Sequence, residues 1–143
     1  MGRMAEAHKD YSGTPLPTKL GVREGSKFFV AGAPEGFDAV LGPLPTGVQR
    51  LGRAGSSMDV VVVFTTQERA LRARFAKLAA GLGSAGRLWV AWPKKAANLP
   101  TDLDFDTVQR IGLTAGLVDN KSASITETFQ GLQFVVRTRD RPA

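Results

Sequence analysis

The sequence predicts an α/β protein: a three-layer sandwich on a mostly parallel sheet that ends in an antiparallel hairpin. Three observations carry this reading. Asp59-Val-Val-Val-Val-Phe64 is a continuous β-branched run, as expected of a strand buried on both faces of a parallel sheet. Gly86-Arg-Leu-Trp-Val-Ala-Trp92 is a second apolar run, stopped by Pro93, Lys94 and Lys95. Between them lies a stretch of helical period, so strand, helix and strand follow one another at the spacing of a crossover unit.

The elements follow in order. Residues 1–13 read as a flexible leader, and residues 14–138 as one domain. Pro15 to Leu20 forms a helical turn with Leu16 and Leu20 on one face, closed by Gly21. Lys27 to Ala31 is the first strand, and Gly32-Ala-Pro-Glu-Gly36 leads into a short helix with Pro34 in its first turn, running to Leu41. Val48 to Leu51 is a short edge strand. After Phe64, Thr65-Thr-Gln-Glu68 matches a capping box, and the helix behind it places Leu71, Phe75, Leu78 and Leu82 on one face, with Gly81 or Gly83 ending it. Pro93 to Pro100 is a loop. Thr101, Asp102 or Asp104 caps a helix that turns Phe105, Val108 and Ile111 inward and stops at Gly116. Leu117 to Thr128 and Leu132 to Arg137 are strands joined around Phe129-Gln-Gly131, and residues 139–143 are a frayed tail.

Composition narrows the function. The chain has 143 residues, 43% of them hydrophobic, which suits one domain with a sizeable core. No apolar run approaches the roughly 20 residues that span a bilayer, and the polar N-terminus carries no secretory signal, so a cytoplasmic protein is expected. There are no cysteines, which excludes disulfides and thiolate chemistry. His8 is the one histidine and Tyr11 the one tyrosine, so histidine triads and histidine metal clusters are excluded. The net charge is +6, but the cations are scattered, with no basic arm and no aromatic stacking platform. A solvated, arginine-rich surface is the plainer explanation.

Two resemblances follow from quoted motifs. The order of the two buried strands, the helices behind them and the terminal hairpin is similar to the second half of a class I methyltransferase, which implies a reduced, Rossmann-like sheet. Tyr11-Ser-Gly-Thr-Pro-Leu16, Lys19-Leu-Gly-Val22, Ala33-Pro-Glu-Gly-Phe37, Leu41-Gly-Pro-Leu-Pro45, Leu88-Trp-Val-Ala-Trp-Pro-Lys-Lys95, Gly116-Leu-Val-Asp119 and Gly131-Leu-Gln-Phe134 together resemble the small bacterial family called domain of unknown function 3052. That resemblance implies a single-domain bacterial protein and brings no activity with it.

The candidate site lies at the carboxyl ends of the parallel strands, where open α/β sheets bind ligands. Glu35 and Gly36 follow the first strand, Thr65 and Thr66 the second long one, and Lys94 and Lys95 the third. Unpaired N–H groups at a helix start attract anions, and an ammonium group completes a pocket for phosphate, carboxylate or an acidic peptide. Each has a plainer alternative: a structural turn, a capping box, and two solvated lysines. Trp89 and Trp92 fall on opposite faces of their strand. The turn after Ala31 matches no nucleotide fingerprint, Pro34 removes an N–H from it, and no carboxylate follows Val48-Gln-Arg-Leu51 to bind a ribose. Asp102, Asp104 and Asp106 lack the glycine turn and distal carboxylate of a calcium loop, and Glu35 with Asp38 has no spacing that marks an acid–base pair. The leading expectation is a non-catalytic binding or regulatory module, without cofactor or metal, that takes an anionic ligand or acidic protein. A reduced S-adenosylmethionine-dependent enzyme is the first alternative, and weak nucleic-acid association through net charge is the second.

Overall fold

The computed structural model describes residues 13–137 and Asp140. The expected leader and tail lie outside the described residues, apart from Gly13 and Asp140. Ten helices and strands follow in order: α1 (Leu16–Leu20), β1 (Lys27–Ala31), α2 (Phe37–Leu41), β2 (Gln49–Leu51), β3 (Met58–Phe64), α3 (Glu68–Ala80), β4 (Leu82–Pro93), α4 (Phe105–Thr114), β5 (Leu117–Ser124) and β6 (Phe129–Val136).

The six strands form one sheet in the order β2-β1-β3-β4-β6-β5. β2, β1, β3 and β4 are parallel, and β6 runs antiparallel to both β4 and β5. The sheet is therefore mostly parallel, and the short β2 takes the expected edge. Alternation along the strands sends side chains to two cores. One holds Val61, Val63, Leu88, Val90 and Trp92 against α3 and α4; the other holds Phe28, Val60, Val62 and Trp89 against α1 and α2. Three layers result. The two tryptophans do lie on opposite faces, both buried, and Trp89 donates its Nε1–H to the Leu20 carbonyl at 3.0 Å. Among the described residues no helix is long and apolar enough to cross a membrane.

Four local expectations are corrected. β4 begins at Leu82, so Leu82 leaves the helix face; its register against β3 slips between Met58 and Val60. α2 starts at Phe37 behind Gly36, a left-handed N-cap at φ 84°, and Pro34 stands in the preceding turn. The final hairpin turns through residues 125–128, because the Thr126 hydroxyl accepts the N–H groups of Thr128 and Phe129 at 3.1 and 3.0 Å; Phe129-Gln-Gly131 belongs to β6. Phe105 opens α4 beyond the end of the sheet and is 45% exposed, while Val108 and Ile111 are buried as expected.

Candidate functional site

The exit of β4 is shaped by a change of partner. Lys94 N–H still pairs with the Thr128 carbonyl at 2.8 Å, after which the chain leaves the sheet through a 3-10 turn, Lys95–Ala97, closed by left-handed Asn98. The returning segment reaches α4, which Asp104 caps by accepting the Thr107 N–H at 2.8 Å. Between outgoing and returning chain lies a cleft of about 820 Å³, with Trp92 and Leu103 inside and Lys95, Leu99, Asp104 and Phe105 around it. That size suits a small molecule. An adjoining cleft shares Trp92, Lys94, Phe105 and Gln130 and extends to Ser122 and Ser124.

The two lysines separate. Lys94 Nζ donates to Ser124 Oγ at 2.7 Å and ties the loop to the hairpin. The Lys95 ammonium makes no hydrogen bond or ion pair to any described residue, and its backbone carbonyl accepts the Asn98 N–H at 3.1 Å. Asp104 is held below the usual carboxylate range, first by the backbone N–H and side chain of Thr107, with Arg110 and Lys95 adding to the effect.

The start of α3 is not the expected capping box. Its N-cap is Gln67, and Thr65 Oγ1 forms a local turn with the Gln67 backbone instead. The cap comes from 34 residues away: Glu68 N–H donates to Asp102 Oδ1 at 2.7 Å, and Thr101 Oγ1 donates to the Thr66 carbonyl at 2.7 Å. A carboxylate of the chain itself thus occupies the place where an anionic ligand was expected at Thr65 and Thr66. Glu68 pairs with Arg72 at 2.8 Å, as its i, i+4 spacing implies.

At the β1 exit, Gly32 has φ 69°, and a Cβ there would stand 2.6 Å from the Phe64 carbonyl oxygen, so the β1 and β3 exits close tightly together. Gly32, Thr65 and Thr66 line one small cleft, Glu35 and Gly36 another, and Lys94 and Lys95 the large one. Phe129 borders the first two, and Leu99 borders the second and third. The six candidate residues share one end of the sheet but do not converge on one pocket. Asp38, considered as a partner for Glu35, pairs instead with Arg50 at 3.1 Å. Among the described residues no group of three or more acidic or histidine side chains could hold a metal, and Asp102 and Asp104 cap different helices. Sequence reasoning missed Leu99 and Phe105 as cleft walls and Asp102 as a distant cap; Asp102 stood out there as one of three alternating acids and as a candidate cap of α4, not of α3.

Comparison with solved structures identifies the architecture. A TehB-like SAM-dependent methyltransferase from Corynebacterium glutamicum superposes with a TM-score of 0.55 at 14% identity, over 85% of this chain and 85% of that one. The fold is methyltransferase-like. A SAM-dependent methyltransferase from Aquifex aeolicus gives 0.53 at 12% identity over 85% and 88% of the two chains, and a putative type 11 methyltransferase from Sulfolobus solfataricus gives 0.52 at 13% over 90% and 93%. No protein-family model and no curated protein matches the sequence.

Two of these structures are named as SAM-dependent, and the residues at the first strand exits of this chain do not fit an adenosyl cofactor. Where a ribose-binding carboxylate belongs, at the end of β2, the chain has Arg50, Leu51 and Gly52, and the Arg50 guanidinium lies 5.2 Å over the Phe28 ring. Pro34 withholds an N–H from the β1 turn. The start of α3, the helix after β3, is already bound to Asp102.

Proposed function

We propose that this methyltransferase-like chain is a ligand-binding protein whose site is the cleft at the β4 exit. One observation carries the reading: a cleft of about 820 Å³ is lined by both Lys95, whose ammonium has no partner among the described residues, and the buried Trp92. The protein then works by binding at the carboxyl end of the sheet, as a cytoplasmic module related to the domain of unknown function 3052 family. The last four residues of the Leu88 to Lys95 motif that suggests this kinship, Trp92 to Lys95, also line the cleft.

A second reading, S-adenosylmethionine-dependent catalysis, is favoured by the fold. Each solved structure named above is called a methyltransferase, so at the level of architecture the enzyme has more support than the non-catalytic module expected from sequence. The unfitted β1 and β2 exits weigh against it, and no chemical step is derived through that cofactor. Isothermal titration with S-adenosylmethionine and S-adenosylhomocysteine separates the readings. We expect no saturable heat from either; micromolar binding of one would make the enzyme the better reading.

A further inference from the structure

We infer that the β4-exit cleft takes a small amphipathic anion, an apolar or aromatic body carrying a single carboxylate or equivalent group; this rests on the reading of the cleft as the ligand site. The walls give the body. Leu99 and Phe105, 43% and 45% exposed, flank the cleft, with Trp92 and Leu103 buried within it. Large apolar groups left facing water around one concavity mark a place for an apolar partner.

The remaining polar capacity gives the head. Most polar groups of the floor are already committed: the Pro93 carbonyl accepts from Gln130 Nε2 at 3.2 Å, Thr101 Oγ1 donates to Thr66, and Asp104 Oδ1 accepts from Thr107. Asp104 and Asp106 stand at the start of α4, where the helix dipole compensates their charge. Among the residues lining the cleft, the charged donors left over are the two ammonium groups. The Lys95 ammonium donates to no described residue, though it lies within the field of Asp104, and Lys94 spends one of its three protons on Ser124. An anionic head at these ammonium groups makes a charge-assisted hydrogen bond while the body covers Phe105 and Leu99.

The test uses three probes of one shape on the full chain: 4-phenylbutanoate, its neutral amide and 4-phenylbutylamine, followed by amide-resonance shifts in NMR. The carboxylate is expected to shift residues 92–106 and to bind about tenfold more tightly than the amide, the gain of one charge-assisted contact. Lys94→Ala with Lys95→Ala should reduce it to the affinity of the amide, and Phe105→Ala should weaken both. Carboxylate and amine binding equally, or the amine binding better, overturns the anionic class while leaving the cleft as a site. If neither these probes nor a fragment set of neutral and cationic compounds shifts residues 92–106, the ligand site itself is overturned.

Discussion

Asp102 and Asp104 stand two residues apart, yet each caps a different helix, Asp102 at α3 across the loop and Asp104 at its own α4. Asp102→Ala should therefore lower stability by about 1 kcal/mol, the usual worth of a side-chain cap, measured by urea unfolding. Removing the built-in carboxylate also frees the α3 N–H groups, so this variant should gain weak sulfate-dependent stabilisation that the parent chain lacks. Asp104 makes a separate prediction through pH. Its folded pKa is depressed, so its contribution is present above the unfolded aspartate value, near 4, and is lost as pH falls through the lower folded value. Asp104→Asn should be less stable than the parent at neutral pH, and the gap should close below about pH 4, where the unfolded aspartate also takes up its proton. A gap that persists at pH 2 would assign the loss to packing instead.

α4 meets the sheet at Gly112, where a Cβ would intrude into the Phe134 ring, and that ring in turn packs edge-on against Phe75 of α3 at 5.6 Å between centroids. Gly112→Ala should lift α4 off the sheet and cost roughly 1–3 kcal/mol despite its better helix propensity, as overpacking does; equilibrium unfolding would show it. Glycines of this kind explain where the sequence misled. Gly131 looked like a hairpin turn, but it sits inside β6 because Ile125 side-chain carbons lie 2.7 Å from where its Cβ would be. Gly86 looked like the start of a strand, but it lies within β4, where a Cβ would meet the Met58 carbonyl oxygen at 2.6 Å. What was legible depended on local pattern: β1, β3 and α3 all announce themselves by composition and period, and the Trp-Pro-Lys-Lys exit does line a cleft. What was not legible depended on partners distant in sequence. The cap of α3 by Asp102 and the tether of Lys94 to Ser124 decide which candidates stay available, and neither leaves a trace in spacing.

The described residues form one sheet with a core on each face, and Trp89 and Trp92 sample the two cores separately. Trp92→Phe leaves a reporter on the α1 and α2 side, and Trp89→Phe leaves one on the α3 and α4 side. Because both cores share every central strand, fluorescence and far-UV circular dichroism should give coincident urea transitions within each variant; distinct midpoints would mean that the faces unfold independently. Trp89→Phe should be the less stable of the two, since it strands the buried Leu20 carbonyl, a loss of about 1–3 kcal/mol. The position of β6 has a consequence in time. It is the last strand in sequence but sits inside the sheet, filling the gap between β4 and β5. On the ribosome, the Trp92 face and the hairpin side of the cleft must wait for residues 129–136 to be made, with β5 unpaired until then. The cleft at the β4 exit is thus completed only when the last strand of the described residues has been made.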